Sequence, residues 1–173
     1  MRIIEFEKID STQIFAKSLK TPKTWTVILA REQTAGRGRG GNFWYSPQGG
    51  LYFSVILPKS KIEDLQTLNI LAAFIVARAI KENFDLEPMI KLPNDVLING
   101  KKVCGILTKN IIQREVKFSA MGIGLNTNIE KFPKDLEKIA TSLKIELGKE
   151  VDNKKILEQI VKGLKEQLRT IRE

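Results

Sequence analysis

The residues best suited to chemistry lie between Arg31 and Pro47, REQTAGRGRGGNFWYSP, where glycines at 36, 38, 40 and 41 interleave with Arg37 and Arg39 ahead of Trp44. Glycine lets backbone N–H groups approach a ligand closely, and guanidinium groups add fork-shaped, charge-assisted donors for carboxylate or phosphate. Such a loop is built to wrap an anion. A second candidate is Lys91, set in an apolar stretch directly before Leu92-Pro93, with Asn94 and Asp95 beyond. That setting predicts an ammonium drawn inward, where it must meet an anion or acceptors; the competing reading is an ammonium that snorkels to the surface from a strand end.

What is missing narrows the chemistry further. There is no histidine, and Cys104 is the only cysteine, which excludes an intrachain disulfide, the usual zinc sites and Ser-His or Cys-His nucleophile pairs. Chemistry must rest on Lys, Arg, Asp, Glu, Asn, backbone donors or a metal held by oxygen ligands. This points toward phosphate or acyl-phosphate chemistry, with Cys104 read as a small core residue.

The 29 basic and 20 acidic side chains leave a net charge of +9. That suits an anionic ligand, an acidic protein or nucleic acid without choosing among them. Much of the excess is lysine between Lys131 and Lys165, on what read as solvated helix faces. With 173 residues, 42% of them hydrophobic, one compact domain is expected. The longest apolar run, Ile70 to Ala77, is eight residues, far short of the ~20 a membrane helix needs. MRIIEFEKID lacks a secretory signal's apolar core, so the expected location is cytoplasmic.

The elements that must hold these groups follow from spacing. Asp10 and Ser11 can cap a helix running to about Lys20, and Trp25 to Ala30 reads as a strand leading into the glycine-rich loop. Leu51 to Leu57 is a strand ended by Pro58, and apolar residues from Ile62 through Phe84 recur at helical spacing. Met89 to Leu92, Asp95 to Ile98 and Lys102 to Thr108 read as strands, the last two joined by Asn99-Gly100, a strong hairpin signal. Glu115 to Gly124 is another strand, followed by helices over about Lys134 to Leu147 and Asn153 to Ile171. Together they predict an α+β domain with a mixed, largely antiparallel sheet flanked by helices. Neither GxGxxG at a helix start nor GxxxxGK[ST] occurs, which removes the main support for common nucleotide folds.

The segments AGRGRGGNFWYSPQGGLYFS, KLPNDVLINGKKVCGIL, GIGLNTN and ATSL resemble, in order, the signature blocks of biotin protein ligases. The blocks span roughly Ser11 to Leu143, and their order is far more specific than any one of them. The resemblance implies a catalytic domain similar to class II aminoacyl-tRNA synthetases and lipoate ligases. It also implies ATP-dependent formation of biotinyl-5′-AMP, then transfer of biotin to a lysine of a biotin carboxyl carrier protein. Mg²⁺ would be carried mainly on the ATP phosphates, with any ligands from the chain unknown. A homodimer stays open, and neither nucleic acid nor membrane is expected as a partner.

By position, Ser11, Thr12 and Gln13 match the family's biotin-contacting STN segment, with Gln13 in place of asparagine, and Gln33 matches a contact to the ureido ring. Gly36, Arg37, Gly38 and Arg39 match the loop that closes over biotin and the adenylate, and Gly105 matches a glycine whose side of the strand faces biotin. Lys91 matches the lysine at the biotin carboxylate and, with Arg37, carries the implied catalysis. Arg37, Arg39, Trp44, Asn94, Lys101, Asn126 and Asn128 fall on the ATP side. Capping for Ser11 and Thr12, core packing for Trp44 and turn formation for Asn126 and Asn128 are the competing structural readings.

Several positions depart from the pattern. Leu92 replaces the tryptophan of KWPND, Cys104 an alanine, and Gly40 and Asn42 stand where many members are basic. The expectation is a single catalytic domain over residues 1–173, without the N-terminal DNA-binding module or the small C-terminal β domain of some members. Rival readings are a lipoate or octanoate ligase or transferase on the same fold, and a basic nucleic-acid-binding domain.

Overall fold

A computed structural model describes residues 2–58, 64–113 and 116–170. The chain runs through strand β1 (Arg2–Ile9), helix α1 (Thr12–Ser18), β2 (Thr26–Gln33), a 3₁₀ turn at Arg39–Gly41, β3 (Leu51–Leu57) and helix α2 (Leu65–Phe84). It continues through β4 (Met89–Lys91), β5 (Asp95–Ile98), β6 (Lys101–Gln113), β7 (Val116–Leu125), α3 (Leu143–Leu147) and α4 (Asn153–Thr170).

The strands form one sheet in the order β1-β2-β3-β7-β6-β5-β4. Only β1 and β2 pair in parallel; the other neighbours are antiparallel. β3 lies centrally, and every residue from Leu51 to Leu57 is buried, which explains an unbroken apolar run where a one-sided strand would alternate. One face of the sheet packs on α2 and α4. Ile156, Ile160, Val161, Leu164 and Leu168 of α4 join Ala72, Ile75, Val76 and Ile80 of α2 and Val27, Phe53 and Val55 of the sheet in one core. Each fully buried side chain of this size is worth about 1.5–3 kcal/mol. The opposite face carries α1, whose Ala16 packs with Ile28, Ile56, Ile111 and Ala120. Most of the candidate site residues gather on this second, thinly covered face.

Asn99 (φ 50°) and Gly100 (φ 77°) take the left-handed conformations expected of a tight hairpin turn between β5 and β6. Two features depart from the sequence expectation. No periodic signal marks β1, an edge strand whose side chains are all exposed or half-buried, so its apolar alternation is weak. The helix expected over Lys134 to Leu147 is a series of turns followed by the short α3. Ala140 bridges in parallel to Lys102, and Ser142 starts α3 afresh by accepting from the Ile145 N–H at 3.1 Å. The parts of the expected elements at Ile62, Glu115 and Ile171 fall outside the described residues. Among those described, no helix is long and apolar enough to cross a membrane.

Candidate active site

The start of α1 is wired to the end of β2. Ser11 caps the helix by accepting from the Gln13 N–H, which turns Thr12 toward the sheet. The Gln33 carboxamide oxygen accepts from the Thr12 N–H at 2.9 Å and from its hydroxyl at 3.2 Å, while Gln33 Nε2 donates to Ser46 Oγ at 3.0 Å. Thr12 Oγ1 lies 2.9 Å from Ser54 Oγ on β3. Four segments are thus tied together through the buried hydroxyls of Thr12, Ser46 and Ser54. Gln13 donates from Nε2 to the Leu107 carbonyl, while its Oε1 is buried without a partner among the described residues.

The floor is a glycine trough. Gly105 on β6 sits opposite Gly124 on β7, and Leu107 opposite Gly122, so period-two alternation puts Gly105, Gly122 and Gly124 on one face. The Trp44 indole fills part of this trough. A Cβ on Gly105 would meet Trp44 Cζ3 at 2.9 Å, one on Gly124 would meet Cε2 at 2.6 Å, and one on Gly122 would meet the Gln13 amide at 3.2 Å. Bulk at Gly105 therefore strikes Trp44 and the Lys102 stem.

Over the trough folds the glycine-rich loop. It closes on itself through Gly38 N–H to Asn42 O (2.7 Å), Trp44 N–H to Gly36 O (2.9 Å) and Arg37 Nη1 to Gly41 O (3.4 Å). Gly40 (φ 69°) and Gly41 (φ 81°) supply the left-handed turn. Gly36 is buried beneath it, with no room for a side chain against Ser46 and the Trp44 carbonyl.

Between α1, loop and trough lies a cleft of about 330 Å³. It is lined by Ser11, Thr12, Gln13, Gln33, Arg37, Gly38, Arg39, Trp44, Lys91, Asn94 and Gly105, all expected from sequence. Asp95, next to Asn94 in sequence, lines it as well, and Lys102, Gly122 and Gly124 join them unexpectedly. Four cations, Arg37, Arg39, Lys91 and Lys102, face the space against one carboxylate, Asp95. Lys91 is exposed at the cleft wall rather than drawn into the interior, because β4 is an edge strand. Leu92, 65% exposed, lies at the mouth.

Three ATP-side expectations fare differently. Lys101 points elsewhere and donates to the Glu137 carbonyl at 2.9 Å; Lys102 faces the cleft in its stead. Asn128 spends both ends of its amide on the backbone of Val151, at 3.0 and 2.8 Å, so it ties the segment after β7 to the one that leads into α4. Asn126 is buried and donates to the Thr141 carbonyl, with its Oδ1 unpartnered among the described residues, beside a neighbouring pocket shared with Trp44. Burial pushes the Cys104 thiol well above its ordinary value, in keeping with a core role.

A cleft in which four cations face one carboxylate has the charge to suit an anionic ligand. The profile of the Biotin/lipoate A/B protein ligase family matches residues 5–126, and the chain belongs to that family. It is 37% identical over 166 residues to the bifunctional ligase/repressor BirA of Bacillus subtilis, covering 92% of this chain and 51% of that relative. It is 36% identical over 126 residues to the biotin--[acetyl-CoA-carboxylase] ligase of Paracoccus denitrificans, covering 69% and 52%. The chain thus spans about half the length of these relatives. Among solved structures, the biotin protein ligase of Aquifex aeolicus in complex with biotin and ATP superposes with a TM-score of 0.90 at 34% identity, over 99% of this chain and 72% of that one. A lipoate protein ligase from Thermoplasma acidophilum shares the fold, with a TM-score of 0.68 at 14% identity, over 97% and 83% of the two chains.

Proposed function

We propose that residues 2–170 act as one catalytic domain of an ATP-dependent biotin protein ligase, which makes biotinyl-5′-AMP and passes biotin to a lysine of a carboxylase carrier domain. The observation that carries this reading is the convergence of Arg37, Arg39 and Lys91 on one cleft that Thr12 and Gln33 also line. The two sets of groups suit the two ends of biotin: neutral hydrogen-bonding groups for a ureido ring, cations for a carboxylate.

In the first step a biotin carboxylate oxygen attacks the α-phosphorus of ATP, forming the C–O–P anhydride and releasing pyrophosphate. Two unit charges about 4 Å apart repel by about 4 kcal/mol near a protein surface, or roughly a thousandfold in rate. Lys91 and Arg37 offset that repulsion, and the glycine-rich loop, folded over the cleft, excludes water from the anhydride. A carboxylate is already nucleophilic at neutral pH, so the absence of histidine is no obstacle. In the second step the acceptor lysine's neutral ε-amine attacks the acyl carbon; the amide C–N bond forms as the acyl C–O bond to AMP breaks, AMP leaves, and the amine's surplus proton passes to solvent.

Mg²⁺ enters this reading only as a companion of the nucleotide phosphates. Among the described residues there is no cluster of three metal-ligating side chains, and Asp95 is held by Lys102, so no step is assigned to the ion. The test is incubation with ATP, biotin and a biotin carboxyl carrier domain, read by mass spectrometry of the carrier. A gain of one biotinyl group on one lysine is expected. Transfer of lipoate in its place would favour a lipoate ligase, and no transfer with either acid would refute the assignment.

A further inference from the structure

The buried residues of α2 are apolar except for Asn69, which is 7% exposed. Asparagine is a poor helix former, and an amide placed beneath a sheet must find a partner there. We propose that Asn69 is a positioning residue for the biotin end of the cleft, holding β6 at Thr108 and, through that strand, the contact between Leu107 and Gln13. This deepens the ligase reading and rests on it.

The need for such a group comes from the sheet. β5 pairs with β6 only as far as Gly105, opposite Asp95, so the next residues of β6 have no strand beside them on that side. In an antiparallel ladder every second residue turns its N–H away from the partner strand. Here the outward N–H groups are those of Ile106, which donates to the Asn94 carbonyl at 2.9 Å, and of Thr108, which donates to Asn69 Oδ1 at 2.9 Å. Thr108 is 3% exposed, so without Asn69 its N–H would be buried and unpaired.

Leu107 lies between these two anchors and lines the cleft. It stands opposite Gly122 on β7, and its carbonyl accepts from Gln13 Nε2. That same nitrogen is 3.2 Å from where a side chain on Gly122 would begin, so the Gln13 amide rests directly on the strand pair. The arrangement has little slack: a displacement of β6 at Thr108 moves Leu107, and Gln13 must follow it or lose the bond.

Placement decides which ligand feels the change. Gln13 leaves the same turn of α1 as Thr12, whose bonds to Gln33 shape the neutral part of the cleft assigned to the ureido ring. Arg37 and Arg39 stand on the glycine-rich loop, outside this series of contacts. Loss of the Asn69 acceptor is therefore transmitted to biotin and not to ATP.

The experiment is biotin-dependent ATP–pyrophosphate exchange with Asn69→Leu, which keeps the size of the side chain and removes the acceptor. KM for biotin is expected to rise about tenfold, while KM for ATP stays within about twofold. In a Gln13→Ala background the effect of Asn69→Leu on KM for biotin largely vanishes, because the contact it supports is already gone. An amide that only stabilised the fold would lower the melting temperature and leave both KM values of the folded enzyme unchanged. Should Asn69→Leu fail to fold, Asn69→Ser, whose hydroxyl falls short of the Thr108 N–H, takes its place under the same outcomes. An unchanged KM for biotin in the folded variant, equal rises for biotin and ATP, or a full effect that persists without Gln13 would each overturn the inference. If the parent shows no exchange with biotin, the ligase reading fails, and calorimetric binding of biotin and of lipoate to parent and variant still decides the role of Asn69. Affinity for either acid weakened about tenfold in the variant supports it; equal affinities, or binding of neither acid, overturn it.

Discussion

Replacing Gly124 with alanine probes how the cleft is shaped. The new methyl would lie 2.6 Å from Trp44 Cε2 and closer still to Nε1, whereas carbon atoms sit comfortably at about 3.5–4.0 Å. The indole must retreat by about 1 Å, away from Gly105 and Lys102. Overpacking of this kind costs about 1–3 kcal/mol, and for a domain of this size each kcal/mol lowers the melting temperature by about 2–4 °C. Gly124→Ala is therefore expected to melt about 2–12 °C lower and to bind ATP and biotin more weakly. The assay is a double-mutant cycle by differential scanning calorimetry, with Trp44→Ala as the second substitution. If the clash is with the indole, the penalty at Gly124 largely disappears once the ring is gone, giving a coupling of about 1 kcal/mol or more. An equal penalty in both backgrounds would refute the reasoning, because the glycine would then be required by the strand itself.

Further predictions concern charge and motion. Lys91→Ala should cut adenylate formation by about 100- to 1,000-fold with a melting temperature close to that of the parent, since the side chain is exposed and makes no hydrogen bond among the described residues; pyrophosphate release measures the first, calorimetry the second. Asp64 caps α2, accepting from the Thr67 hydroxyl and the N–H groups of Gln66 and Thr67, and these bonds, the hydroxyl's first, hold its carboxyl below the ordinary 3.8. A depressed carboxyl stabilises the fold above 3.8 and ceases to do so as pH falls through its lower folded value. Urea unfolding should accordingly find Asp64→Ala less stable than the parent at neutral pH, with the gap closing on acidification. Hydrogen exchange over Gly36–Asn42 should slow when biotinyl-5′-AMP is added, because the loop is surface-exposed and held mostly by its own hydrogen bonds.

Much of this was legible in the sequence where local rules and tertiary context agree. Asn99-Gly100 announced its hairpin because both residues tolerate positive φ, and the buried faces of α2 and α4 were written at helical spacing. The candidate site was legible as a set of segments, since glycine and arginine at that density in one loop have few other uses. What escaped detection depended on contacts between segments. β1 gains its order from pairing with β2, a long-range partner that its own residues do not reveal. The turns after Pro133 show helical spacing, but Ala140 is captured by β6 and Ser142 imposes a new start. Nothing local separates Lys101 from Lys102, because no sequence pattern marks the irregular register of β5 and β6 between Val96 and Leu97, and that register decides which lysine faces the cleft. Gly122 and Gly124 did carry a signal: two glycines at period two in a strand open one face for a neighbouring ring.

The most direct test of the central claim, that this cleft joins biotin to AMP, is ATP–pyrophosphate exchange measured with biotin, with lipoate and with neither acid. The account predicts exchange with biotin alone, nearly lost in Lys91→Ala. Equal exchange in all three reactions, or exchange that survives Lys91→Ala undiminished, would contradict it.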